Sequence, residues 1–124
     1  MTLDVFLESA GRFDRDAAET ALAQNGIAAD STVSTADGGD ASVTIDDDGC
    51  VLVIRSSTPE LAEVLYDVAH RARLAILPAD GTPNALVAGD ADVPDELEQV
   101  DVGDAGELYE ALRQSEELRG ARSA

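Results

Sequence analysis

The chain has no lysine and no tryptophan, and its 124 residues include a single cysteine, a single histidine and a single methionine. One cysteine, Cys50, cannot close an internal disulfide, and with the lone His70 it cannot supply the clustered thiolates and imidazoles of a zinc site. No apolar run approaches the ~20 residues needed to span a bilayer. The start, MTLDVFLES, lacks the basic segment and long apolar stretch of a secretory signal, so the expectation is a cytoplasmic protein without a membrane segment. A phosphate-cradling glycine loop, a Gly-x-Ser-x-Gly elbow, paired cysteine motifs and a His-Glu-x-x-His helix are all missing. No catalytic residue, metal or cofactor is therefore expected. Aromatics are scarce as well, with two Phe and two Tyr, so the core has to be built from Val, Leu, Ile and Ala.

What is abundant is negative charge. There are 26 acids against 8 bases, every base is Arg, and the net charge is −18. In dilute buffer such a chain repels itself; in molar salt the Debye length shrinks to roughly 3 Å and most of that repulsion is screened. This acidic, Lys-free composition, rich in Ala and Asp, resembles that of proteins from salt-in halophiles such as haloarchaea. The resemblance implies a solvated surface that holds Na⁺, K⁺ or Mg²⁺ only weakly. The other reading of the charge is an acidic patch that docks a basic partner. Direct binding to a nucleic-acid backbone is not expected, because phosphate contacts need clustered Lys or Arg.

Hydrophobic periodicity divides the chain into elements. TLDVFLE (2–8) alternates as a strand with Leu3, Val5 and Leu7 on one side. Asp14 stands where a helix N-cap belongs; Ala17, Ala18, Ala21 and Leu22 make the buried stripe, Asn25-Gly26 stops the helix, and Phe13 staples its start. The small, polar segment 27–40 reads as a loop ending at Asp37-Gly38-Gly39, with a short edge strand over 32–35 as an option. ASVTIDDDGCVLVIRSS reads as a hairpin turned by Asp48-Gly49. Its second strand places Cys50, Leu52 and Ile54 on one face and Val51, Val53 and Arg55 on the other. Thr58, Pro59 and Glu60 open a helix whose stripe is Leu61, Val64, Leu65, Val68, Ala69 and Ala72. Ala75–Leu77 and 85–89 form two strands joined by the turn 79–84. Residues 90–101, with Pro94, read as irregular. A last helix over 104–118 buries Leu108, Ala111, Leu112 and Leu118, and RGARSA frays.

This order predicts an α+β single domain: a ferredoxin-like β-α-β-β-α-β sandwich with a mostly antiparallel sheet, helices on one face, and an extra C-terminal strand and helix. Residues 1–89 would be the sandwich core, 90–103 an acidic connection, and 104–118 the terminal helix.

Four places bear on function. The Asp46-Asp47-Asp48 run fails the EF-hand pattern, since its fifth and sixth positions are Cys50 and Val51; DADVPDELEQ fails as well, with Pro94 where the third acid belongs. These carboxylates read as a turn and a solvated loop. His70 falls opposite the apolar stripe of its helix, near the C-terminal end, where positive charge suits the dipole; Asp67 or Glu63 would be its orienting partner if it worked as a base. Cys50 reads as a small buried hydrophobe whose neighbouring acids disfavour a thiolate. Arg55 reads as an ion-pair member with Glu60 or another acid. In the alternative, Arg55, Ser56 and Ser57, standing just before the amides of the Thr58 helix, form an anion-binding or ligand-binding site.

The strand, Ala-rich helix, Asp-Gly hairpin and long helix of residues 2–73 are similar in layout to the small dimerising subunit of the KEOPS tRNA-modification complex. The whole β-α-β-β-α-β order resembles the amino-acid-binding ACT domains. That second resemblance implies ligand binding at a dimer interface near the strand-to-helix loops, here Gly11, Arg12 and the Arg55–Ser57 region. A non-catalytic interaction or assembly module, acting as a homodimer or with another protein, is the first expectation; a small-molecule-binding regulatory domain is the second.

Overall fold

A computed structural model describes residues 3–9, 13–28, 30–46, 49–79, 84–89, 93 and 95–123, with side chains described as far as residue 117. The elements are β1 (Leu3–Glu8), α1 (Arg15–Gln24), β2 (Ser31–Ser34), β3 (Asp40–Ile45), β4 (Cys50–Ser56), α2 (Pro59–Ala72), β5 (Ala75–Pro78), β6 (Asn84–Val87), β7 (Glu98–Asp101) and α3 (Ala105–Ser123). The chain is α+β: three helices and one seven-stranded sheet in the order β2-β3-β4-β1-β5-β6-β7. Every neighbouring pair is antiparallel except β6 and β7, which run parallel.

Local chemistry sets the helix ends. Asp14 Oδ1 accepts from the Ala17 amide at 3.0 Å and opens α1. At its far end Gly26 takes φ 74°, a conformation open to glycine at little cost. Asn25 Nδ2 donates both to Ala21 O at 2.9 Å and to Asp67 Oδ2 at 2.8 Å, tying the end of α1 to α2. Thr58 Oγ1 accepts from the Leu61 amide at 3.2 Å, and Pro59 takes the first position of α2. Asp104 Oδ1 accepts from the Glu107 amide at 2.8 Å while the Gly103 amide donates to Glu107 Oε2, so α3 starts with a reciprocal box.

All three helices pack on one face of the sheet. Leu3, Val5 and Leu7 of β1, Ala41, Val43 and Ile45 of β3, and Cys50, Leu52 and Ile54 of β4 are buried there with Leu61, Leu65, Val68, Leu108 and Leu112 from the helices. The central helix is α2, flanked by α1 and α3. The Tyr66 hydroxyl of α2 donates to Gly103 O at 3.2 Å, just before α3 begins.

Four expectations need correction. The sheet has two strands more than the predicted layout: 31–34, read as loop with an edge strand over 32–35 as the option, is an edge strand, and 98–101, expected to be irregular, is the opposite edge. Each is short and carries one valine, so neither shows a hydrophobic period; each forms because a neighbouring strand offers unpaired backbone groups. The β3–β4 hairpin closes one residue earlier than Asp48-Gly49. The Asp46 amide donates to Gly49 O and the Gly49 amide to Asp46 Oδ1, both at 2.9 Å, which makes these two a facing pair. Gly49 allows a close approach instead: a Cβ there would lie 3.1 Å from the Leu7 carbonyl oxygen, a tight contact. Finally, α3 runs on to Ser123, because 119–123 is mostly Arg and Ala, good helix formers. Asp47 and Asp48, the turn residues 80–83, the loop residues Asp90, Asp92 and Pro94, and the side chain of Leu118 lie outside the described residues.

Candidate functional site

Strand alternation gives the sheet a second face, turned away from the helices. Its central rung runs Leu77, Phe6, Val51, Thr44 across β5, β1, β4 and β3; the next runs Asp4, Val53, Ser42, Thr32. Phe6, Val51, Val53 and Leu77 are half-buried and belong neither to the hydrophobic core nor to the residues packed on it. They form an apolar strip over the middle of the sheet. Hydroxyls of Thr32, Ser34, Ser42 and Thr44 lie on the β2–β3 side, and carboxylates of Asp4, Glu8 and Asp101 on the other. Toward β6 the same face is closed more tightly: Ala75, Ala85 and Val87 are buried, yet stand apart from the main core.

Arg55 lies on this outer face. Its Nε and Nη2 grip Asp40 Oδ2 and Oδ1 at 2.8 and 2.9 Å, and Nη1 donates to Ser42 Oγ at 2.7 Å. A planar guanidinium meets a carboxylate edge-on. The hydrogen bonds from Arg55 hold the Asp40 carboxyl below its ordinary range and push Arg55 itself upward. The register slips between Asp40 and Ala41, so Asp40 stands opposite Ser56. Arg55, Ser56 and Ser57 are thus consecutive along one strand end: Arg55 and Ser56 are exposed, and Ser57 is half-buried with an Oγ that is shielded and has no hydrogen-bond partner.

Beyond them, the N-terminus of α2 is held by the 35–39 turn. Asp37 Oδ2 accepts from the Glu60 amide at 3.1 Å, Glu60 Oε2 accepts from the Ala36 amide at 3.0 Å, and Thr35 Oγ1 donates to Asp37 Oδ1 at 2.6 Å. Desolvation opposes ionisation of Asp37, but hydrogen bonds from Thr35, Thr58 and the Glu60 and Gly39 amides outweigh it and bring its carboxyl down to about 2. The chain's own carboxylate therefore occupies part of the positive end of α2. Gly39 makes this packing fit, since a Cβ there would collide with the Thr35 and Thr58 hydroxyls. Glu60, named as a partner for Arg55, bonds Ala36 instead. Sequence reading had no means of finding Asp37, which lies 23 residues away in a turn.

The other two candidates are separate. His70 is exposed, stacks on Tyr66 with ring centroids 6.1 Å apart, and abuts Gly89, where a Cβ would stand 2.9 Å from its Cδ2. It borders an open groove of about 830 Å³ between α1 and α2, also lined by Asp14, Asp16, Asp67, Arg71 and Arg73. Asp67, one of the two acids named as a partner should His70 act as a base, pairs with Arg71 at 2.9 Å and accepts from Asn25, whose hydrogen bond leads in holding its carboxyl low. Cys50 is buried in the helix-covered face; burial first, then Asp46 and Asp30, pushes its thiol up to about 11. Gly11 and Arg12 lie outside the described residues. Among the described residues there is no group of three or more His, Cys, Asp or Glu able to hold a metal ion, and no helix long and apolar enough to cross a membrane.

No family model, curated protein or solved structure matches this chain.

Proposed function

We propose that the protein is a small non-catalytic assembly module that works by association through the open face of its sheet, with a second copy as its partner. One observation carries this reading: among the described residues no layer of the chain packs on the strip Leu77, Phe6, Val51 and Val53, whereas the opposite face of the same strands is buried under the helices. Two-layer folds bury one sheet face against helices, and the other face is free to pair. At the usual ~4.8 Å strand spacing and ~3.4 Å rise, seven strands present a face of roughly 29 by 20 Å. That is on the order of the ~800 Å² each partner contributes to a stable interface.

The order β3-β4-β1-β5, with α1 and α2 crossing on one side, supports a ferredoxin-like core extended by β2, β6 and β7. A salt-adapted cytoplasmic setting belongs to the same proposal. Screening at molar salt removes the repulsion between two copies of a −18 chain and leaves apolar burial to drive pairing. Light scattering on the eluting protein tests this: a dimer in about 1 M KCl, converted to monomer by Val51→Glu with unchanged helix content, is the expected result. A monomer at every salt and protein concentration would defeat it.

A second reading, a small-molecule-binding domain of ACT-like layout using Arg55, Ser56 and Ser57, has one observation in its favour, the shielded and unpartnered Ser57 Oγ. It predicts a rise in melting temperature with an amino acid or nucleotide, lost in Ser57→Ala. No shift across a broad panel would remove it.

A further inference from the structure

We infer that the free edge of β7, together with α3 beside it, is a docking groove for a basic, extended segment of another protein, taken up as an eighth strand. The inference rests on the reading of the chain as an interaction module but uses a different surface from the open face. As the last strand of the sheet, β7 presents a row of backbone donors and acceptors with no strand beyond it among the described residues, and all four of its residues are exposed. Val100 is 37% exposed, the one large apolar side chain among the described residues left so open. Between it and α3 lies a groove of about 540 Å³ whose helix wall includes Gly106 and Ala111, small residues that leave room for incoming side chains.

Charge selects the occupant. Asp101, Asp104, Glu107 and Glu110 line this groove, and among the described residues no arginine does. Asp104 and Glu107 bond amides at the start of α3, and Asp101 accepts from Gln99 Nε2 at 2.8 Å; all of these donors are neutral groups. Among the described residues only Glu110 has a cation near, Arg113 at 3.6 Å. At low salt a second copy paired edge to edge would bring two such carboxylate sets together, so it fits this groove less well than a basic strand. An incoming strand with alternating residues fits this edge: its apolar row lies over Val100 and Ala111, and its cationic row, on the opposite side, reaches Asp101 and stays within the ~10 Å screening length of the helix carboxylates at low salt. The other edge offers no such site, because the single valine of β2, Val33, is buried.

The test is fluorescence anisotropy with the full chain and a labelled peptide in which Val alternates with Arg, against a counterpart alternating Val with Glu. The Val/Arg peptide should bind, and weaken several-fold as KCl rises from about 0.1 M to about 1 M, where the screening length falls from ~10 to ~3 Å. Val100→Ser and Glu110→Arg should each weaken it several-fold with melting temperature unchanged. Amide shifts on binding should fall on β7 and α3, and Val51→Glu, which breaks open-face association, should leave peptide binding intact. The inference is overturned by absent binding at low salt, by equal binding of the Val/Glu peptide, by indifference to both groove variants, or by shifts confined to the open face. A self-association that strengthens with salt and disappears in Val100→Ser would also overturn it, giving the edge to a second copy.

Discussion

Along β1, consecutive residues meet opposite surroundings. Leu3, Val5 and Leu7 are buried under the helices, whereas Asp4 and Phe6 are half-buried and Glu8 is exposed. On β4 the same division separates Cys50, Leu52 and Ile54 from Val51, Val53 and Arg55. Val53 and Ile54 are chemically alike, yet one belongs to the core and the other to a surface strip. The difference comes from what is packed above them, not from the side chains. The helix-covered face is the source of stability, and the open face is the place where substitutions should alter association while leaving the fold intact.

That contrast can be broken from the covered side first. Leu65→Ala, at a site 1% exposed, leaves a cavity under α2 and should cost about 2–5 kcal/mol in chemical unfolding. A loss well under 1 kcal/mol would mean the helical layer is loosely seated. Gly39→Ala inserts a methyl group between the Thr35 and Thr58 hydroxyls and should cost about 1–3 kcal/mol, by the same measurement. Acid titration sharpens the role of Asp37. Its folded carboxyl lies near 2, below the ordinary 3.8 that it regains on unfolding, so its stabilising contribution is complete above about pH 4 and fades as pH falls through about 2. Wild type and Asp37→Asn should thus differ most in melting temperature near neutrality and converge near pH 2; a constant gap would show that the carboxyl's charge is not what holds the turn to α2. Smallest of all should be Val53→Thr on the open face, within about 0.5 kcal/mol of wild type for the monomer. A loss as large as that of Leu65→Ala would show that this strip is covered after all.

Local signals carried much of the architecture. Asp14 and Thr58 cap their helices, as expected from an acid or threonine just before an apolar period, and the two-residue alternation of 3–8 and 50–55 sorts the side chains by face. The pairing of Arg55 with an acid was legible as a type of contact, but its partner was not. Asp40 faces it across a hairpin register that slips by one residue, and the nearer candidate in sequence, Glu60, turns toward Ala36. The edge strand β7 escaped notice for a related reason. Glu98-Gln99-Val100-Asp101 has no pattern of its own to read; β6 beside it supplies the hydrogen-bonding partner that makes it a strand. The β7–α3 groove inherits that opacity, because its parts meet only after the parallel pairing places Val100 against α3.

By itself the sequence determined the charge, the aliphatic core, the helix caps and which residues of each strand share a face, because these depend on composition and on contacts a few residues apart. Only the tertiary structure decided which face of the sheet the helices cover, which strands become edges and which carboxylate each arginine meets. Those outcomes depend on long-range pairing, where any of 26 acids can serve and packing geometry makes the choice.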